Sequence, residues 1–391
     1  MKILPAAAEG VAPRVPARAQ TDDSDICILL LDWDSTGKTF MDIWISMGSR
    51  DNKQKYRTET IRSPALYANE FTAREEIVGR AKRSFGGARI KSIIMPKLHW
   101  LLQHTPVFIA MAPVRLTILL LRALYWWPQN PWRLSCEYIC SIARARGHRH
   151  LPAQVYQQLL TNLLGAAENL ACLYGQGLDH AMERVQISSA DAAEMNRLVA
   201  DHGGVLLMVP HNFGTAFSTL KMNVTFPLLL VVRNPATIER TRVSLDFYER
   251  MQVKIIMVRG GNPFELSRTL FAVLKDGKTV AATVDSLDRS TNRVEVDMFD
   301  TPTGFNPWAA KIAARMKIPI VPAYFRSRGS QISITFGPHL VSQDVDELVQ
   351  HYIRFFEQNI IEDPASWAFL ADKNWHRILR QINAGLDKAQ Q

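Results

Sequence analysis

The sequence predicts an α/β protein in which a mixed, largely parallel central sheet is flanked by helices and preceded by an apolar helical region. Two observations predict this class. From Ala190 onward, short apolar runs alternate with amphipathic stretches of helical period, as strand–helix–strand units around a parallel sheet require. Between Ile90 and Gly177 the pattern is instead helical and rather apolar throughout.

In chain order, residues 1–23 are rich in Ala and Pro without periodicity and read as disordered. "DICILLLDWDSTGKTFMDIWI" (Asp25–Ile45) reads as two apolar strands, or as a strand and a short helix. Its "GKT" does not make a phosphate-binding loop, because the position that needs glycine is Asp32. Residues 50–90 are charged and weakly patterned, which predicts a partly helical connector. "TPVFIAMAPVRLTILLLRALYWW" (Thr105–Trp127) approaches the length of a membrane span, but Pro113, Arg115 and Arg122 interrupt it. Aromatics at one end and interspersed arginines fit an interfacial helix, with a buried core helix as the alternative. "RARGHRH" (Arg144–His150) reads as a solvated or lipid-facing loop, its histidines lacking the paired spacing of a metal site. "LPAQVYQQLLTNLLGAAENLACLYG" then carries apolar residues at helical spacing.

The α/β region follows. "AAEMNRLVADHGG" is a helix closed by glycines and "VLLMVP" a short buried strand. "FPLLLVVR" and "VKIIMV" are the second and third strands, separated by the helix "ATIERTRVSLDFYERM". "NPFELSRTLFAVLKDG" is a helix ended by Gly277, and "KTVAATVD" the fourth strand. "NRVEVDMF", the helix "NPWAAKIAARMK", the paired strands "IPIVPAYFR" and "SQISITFGP" and a helix from about Asp344 to Ile361 complete the domain. This divides the chain into a partly disordered extension (1–90), a helical membrane-associating region (91–185), an α/β domain (186–380) and a tail (381–391).

The 391 residues are 47% hydrophobic and 21% charged, with a net charge of +9 and a pI near 9.4. That balance suits an anionic partner such as a phospholipid surface or an acidic carrier protein. Nucleic acid is set aside, since the basic residues are dispersed and form no recognised module. Four cysteines (Cys27, Cys136, Cys140, Cys172) are too few for a disulfide scaffold and complete no zinc pattern, so they read as buried thiols in a reducing compartment. Residues 1–20 lack the long apolar core of a secretory signal.

In parallel sheets, working groups gather outside the carboxyl ends of strands. His211 stands at one such end, Arg233 and Asn234 at a second, and Asp285 at the fourth. A histidine, which titrates near neutrality, can take a proton from a hydroxyl or amine as that group attacks an acyl carbon. Gly214 keeps the following turn open, so that backbone N–H groups could face a developing oxyanion. Arg233 and Arg242 could grip a phosphate through fork-like hydrogen bonds. A core histidine bonded to backbone and ordinary surface ion pairs are the alternative readings of these residues.

From about Ile90 to Arg380 the chain resembles the lysophospholipid acyltransferase superfamily, and within it the late lauroyl and myristoyl acyltransferases of lipid A synthesis. The resemblance rests on "GGVLLMVPHNFGTAF", "LLLVVRNPATIERTR", "GGNPFELSRTLFAVLKDGKTVAATVDS", "VEVDMFDTPTGFNPWAAKIAARMKIPIVPAYFR" and "EDPASWAF", in matching order and spacing. It implies that His211 is the general base in moving a fatty acyl group from acyl carrier protein or coenzyme A to a hydroxyl or amine of a lipid acceptor. It also implies a place at the cytoplasmic face of the bacterial inner membrane, with no metal and no cofactor beyond the acyl thioester. Arg233 resembles the arginine thought to contact a phosphorylated substrate, and Phe299–Gly304, with Thr303, resembles a motif block after the fourth strand. Asp285 resembles the Asp of an Asp-Gln pair. Asn212, Gly214, Arg233, Asn234, Arg242 and Thr303 are thus the expected substrate-binding residues, and His211 and Asp285 the catalytic ones.

Family members place Asp or Glu four intervening residues after the histidine. Here that position is Ala216; aligned instead on the Phe-Gly pair it is Phe217, with Asn212 in the histidine column. Three explanations stand at this point. Asp285 reaches His211 from another loop; His211 works unaided at reduced rate; or the fold binds lipid or acyl carrier without turnover and partners another enzyme. Residues 1–90 have no recognised counterpart in the lipid A enzymes, so a phospholipid, an aminolipid or a carrier-bound intermediate stays open as acceptor.

Overall fold

The computed structural model describes residues 56–76, 97, 100–101, 104–235, 237–258 and 263–389. The readings made for residues 1–23 and Asp25–Ile45, and Cys27 with them, lie outside the described residues.

A seven-stranded sheet forms the centre. Its strands are β3 (Val185–Gln186), β4 (Val205–Val209), β5 (Leu228–Val232), β6 (Ile255–Met257), β7 (Thr279–Thr283), β10 (Ile320–Arg328) and β11 (Gln331–Phe336). Their spatial order is β3-β11-β10-β4-β7-β5-β6. All neighbours are parallel except β10 and β11, so the sheet is mixed and largely parallel as expected.

Alternation along the strands sends side chains to two faces. On β4, which is buried throughout, Leu206 and Met208 join one core while Val205, Leu207 and Val209 join the other. The first core is covered by α2 (Pro131–Ala145), α3 (Pro152–Gly175), α8 (Pro263–Lys275), α9 (Trp308–Met316), α10 (Val345–Glu362) and α11 (Lys373–Ala389). The second is covered by α4 (Leu178–Met182), α5 (Ser189–His202), α6 (Thr215–Thr225) and α7 (Ile238–Arg250). Covering both faces is what allows every residue of β4 to be apolar.

Local chemistry sets the helix ends. The Ser188 hydroxyl accepts from the Asp191 N–H at the start of α5, and Gly203, at φ 69°, closes that helix in the left-handed region. Gly165 on α3 lies so close to the turn between β10 and β11 that an added Cβ would stand 2.0 Å from the Gly329 carbonyl carbon. Cys136, Cys140 and Cys172 are free and buried, and burial pushes the Cys140 thiol up to about 12.

Residues 56–76 differ from the expected helical connector. They form an antiparallel hairpin of β1 (Tyr56–Arg62) and β2 (Glu70–Glu76). Tyr56, Thr58 and Thr60 alternate with Arg57 and Glu59 on β1, and Ile61, Phe71 and Thr72 also favour strand, while the many charges among them conceal the apolar pattern. The loop of the hairpin pairs with the outermost strand of the sheet: the Ile255 N–H donates to the Ala65 carbonyl at 2.8 Å and the Tyr67 N–H to the Ile255 carbonyl at 2.9 Å. Exposed strand edges invite pairing with other chains, and this loop closes one.

The apolar segment after Thr105 forms α1 (Val107–Ala123) and a short 3₁₀ turn, Leu124–Trp126. Only Ala110, Met111 and Ile118 of α1 are buried, the first two against Ala167 and Ala171 of α3. Phe108, Leu116, Leu119, Leu120, Trp126 and Trp127 stand exposed. Among the described residues, Val107–Trp126 is the one helical stretch long and apolar enough to cross a membrane, with a mean hydropathy of 2.0.

Candidate active site

Strands β4 and β7 lie side by side with Val209 opposite Thr283. Each chain continues two residues beyond that pair, to His211 and to Asp285. Parallel pairing therefore delivers a base and a carboxylate to the same edge of the sheet, although they are 74 residues apart in the chain.

Asp285 is fully buried. A buried carboxylate costs several kcal/mol unless donors replace its water, and three do so here. The His211 backbone N–H donates to Oδ2 at 3.0 Å, and the Trp367 indole N–H donates to the same oxygen at 2.9 Å. Oδ1 meets His211 Nδ1 in a short contact. A carboxylate only accepts, so Nδ1 carries the proton and the basic lone pair of the neutral ring lies on Nε2. The His211 side chain is 26% exposed, so the carboxylate is shut away while the imidazole reaches the surface.

The turn after β4 is held by a segment from the far end of the chain, two short 3₁₀ turns at Pro364–Ser366 and Ala368–Ala371. The Ala368 N–H donates to the His211 carbonyl at 2.8 Å, and the Phe369 ring lies against the imidazole with centroids 4.2 Å apart. The Asn212 amide donates to the Ser366 carbonyl at 3.0 Å, and its oxygen accepts the Phe325 N–H at 3.2 Å. Asn212, an expected substrate-binding residue, is thus buried and occupied in holding this turn to β10.

Gly214 is buried at the start of α6 with φ −82°, a conformation open to any residue. Close packing is what requires glycine there, since a Cβ would stand 2.8 Å from the Ile332 side chain. The neighbouring amides are largely engaged: Asn212 N–H on the Thr215 hydroxyl, Phe213 N–H on the Ser366 carbonyl and Thr215 N–H on the Asn212 carbonyl. These three are therefore not presented to an oxyanion.

Arg233 is exposed just beyond β5, whose Leu230 faces Ala281 of β7, so it emerges at the same carboxyl edge as Asp285. The other three expected binding residues are not brought to this point. Asn234 is buried and accepts the Thr241 hydroxyl at 2.8 Å, fixing the start of α7. Arg242, on α7, is ion-paired with Glu59 of the β1–β2 hairpin. Thr303 is buried on β9 (Thr301–Phe305) and donates to the Thr301 carbonyl at 3.0 Å.

β9 pairs with β8 (Val294–Met298) through the two-residue turn Phe299–Asp300, both at positive φ (55° and 59°). Such a turn suits Asn-Gly, and non-glycine residues there carry about 1–3 kcal/mol of strain each. The surroundings hold it in place. The Phe299 ring is buried against Trp367 and Trp375, its N–H donates to Glu357 at 2.9 Å, and Arg146 bridges Glu357 and Asp300.

Trp367 and Phe369 were not singled out by sequence reasoning. The signal was present in "EDPASWAF": a tryptophan destined for a core must find an acceptor for its N–H. Among the described residues, no group of three or more His, Cys, Asp or Glu is arranged to hold a metal ion.

The family model described as bacterial lipid A biosynthesis acyltransferase matches residues 178–377, just over half the chain. The matched span contains His211, Asp285 and Trp367 together. No curated protein matches the chain.

Proposed function

Because the chain belongs to the bacterial lipid A biosynthesis acyltransferase family and is an acyltransferase, we propose that it moves a fatty acyl group from a thioester of acyl carrier protein or coenzyme A to a hydroxyl or amine of a lipid or lipid-like acceptor, with His211 as general base and Asp285 as its orienting partner. The observation that carries this reading is the contact of Asp285 with His211 Nδ1, which leaves Nε2 as the nitrogen for chemistry.

The acceptor's proton passes to Nε2 as its oxygen or nitrogen bonds to the thioester carbonyl carbon. The carbon–sulfur bond then breaks, and the departing sulfur takes the proton from the imidazolium. Asp285 faces Nδ1–H throughout and stabilises the positive ring, as the acid of a catalytic triad does wherever in the chain it originates. Arg233, at the same sheet edge, meets an anionic group of either substrate. No metal or cofactor takes part.

The exposed apolar face of α1 and its terminal tryptophans lie in the membrane interface at the cytoplasmic face of the bacterial inner membrane. The net charge of +9 supports an anionic lipid surface and an acidic carrier as partners.

The test is release of free thiol from long-chain acyl carrier protein in the presence of total bacterial lipid, comparing wild type with His211→Ala. Release that disappears in the folded variant is the expected result. Equal release by both proteins refutes the assignment of His211.

A further inference from the structure

We propose that Trp367 is a positioning residue of this transfer, fixing the plane in which the Asp285 carboxylate meets the imidazole. The inference rests on the reading of His211 and Asp285 given above. An aspartate carboxylate turns about a broad, two-fold terminal torsion, so its own rotamer preference does not choose an orientation. Something in its surroundings must choose. Two donors converge on Oδ2, the Trp367 indole N–H at 2.9 Å and the His211 backbone N–H at 3.0 Å. Together they define the plane of the carboxylate and leave Oδ1 to His211 Nδ1.

The indole is itself immobile. Trp367 is fully buried, with the Trp375 ring 4.9 Å away and inclined at 72°, and Phe299 and Phe369 at 6.4 and 6.2 Å. The two residues that follow it hold the other partner, the Ala368 N–H on the His211 carbonyl and the Phe369 ring on the imidazole face. Three consecutive residues thus set the carboxylate plane, the main chain under the histidine and the tilt of its ring.

The experiment uses the full chain in the thiol-release assay. Trp367 is replaced by Phe and, through codon suppression, by β-(3-benzothienyl)alanine, which keeps the indole shape with sulfur in place of N–H. Misplacement of a reacting group by about 1 Å can cost on the order of a hundredfold. A fall in kcat of about tenfold to a hundredfold in the isosteric variant, with KM for both substrates unchanged, is the expected result. The ¹⁵N-coupled proton signal of His211 Nδ1 should shift or broaden in that variant, and 5-fluorotryptophan, which keeps the N–H, should retain the rate. An isosteric variant with wild-type kcat and an unmoved Nδ1 signal overturns the proposal, even if Trp367→Phe merely unfolds. If His211→Ala is inactive while the isosteric variant is fully active, the role of Trp367 alone falls. Full activity in His211→Ala removes the functional reading and this inference with it.

Discussion

Replacing Asp285 by Asn keeps the side-chain shape and removes one acceptor and the charge. In the native site both N–H groups on Oδ2 and the Nδ1–H on Oδ1 need acceptors. An amide supplies a single acceptor oxygen. With that oxygen in the Oδ1 position, its NH₂ collides with two donors from His211 and Trp367. Turned over, the oxygen satisfies those two donors and the NH₂ faces Nδ1, which must then lose its proton. The second arrangement clashes least, and it moves the histidine proton to Nε2, where the base should be. A wrong tautomer in a triad costs about 10⁴ in kcat, equivalent to about 5.4 kcal/mol of transition-state stabilisation. The stability cost is smaller, about 1–3 kcal/mol for the weakened hydrogen bonds. Thiol release by Asp285→Asn should therefore fall by about 10⁴, while urea unfolding shows a folded protein with a lowered midpoint. Adding His211→Ala should lower the rate little further, because the two residues act as a unit. A folded Asp285→Asn protein that keeps more than a tenth of the wild-type rate would refute the reasoning.

Two further outcomes are expected. Changing Phe108, Leu119, Leu120 and Trp126 together to Ser should abolish sedimentation with anionic vesicles, since each interfacial side chain contributes about 1.5–3 kcal/mol; all four are exposed, so the thermal midpoint in solution should stay in place, and undiminished vesicle binding would count against α1 as the anchor. His376, on α11, meets the Ser135 hydroxyl at 2.8 Å, and burial, then the nearby Arg380, hold its imidazole below the usual value of 6.5. A depressed histidine stabilises the fold above its unfolded value, and that stability is lost as pH falls from about 6.5 through the folded value. The stability gap between wild type and His376→Phe should therefore narrow in that window, and a gap independent of pH would contradict the shift.

Much of the sheet was legible because β4, β5 and β7 are short apolar runs set between amphipathic helices, and Gly203 and Gly277 mark two of the helix ends. His211 was legible as the polar residue at the end of a buried strand. The site became readable only in part, since the chain offers no acid between His211 and Glu239. Asp285 was a candidate on topology and on resemblance, and it required the observed adjacency of β4 and β7 to become a partner. Asn212 and Asn234 are polar residues just beyond strand ends, which is also where buried turns need internal hydrogen bonds, and Thr303 lies within the short strand β9. Periodicity carries no information that separates those uses. The β1–β2 hairpin escaped because its strand period is masked by charge, and Arg242 was read without knowledge that Glu59 would lie beside it.

The adjacency of β4 and β7 also bears on how the protein acquires activity. Between them in the chain lie α6, β5, α7, β6 and α8, so the His211–Asp285 contact closes a loop spanning 74 residues of separation. Contacts of such high sequence separation form late, because loop-closure entropy must be overcome before they contribute. Collapsed chains with native helices but an incomplete sheet would hold His211 without Asp285. Recovery of acyl transfer during refolding therefore reports the completion of this sheet edge, with β7 between β4 and β5 and the Pro364–Ala371 segment against it, a step that helix-sensitive spectroscopy would pass over.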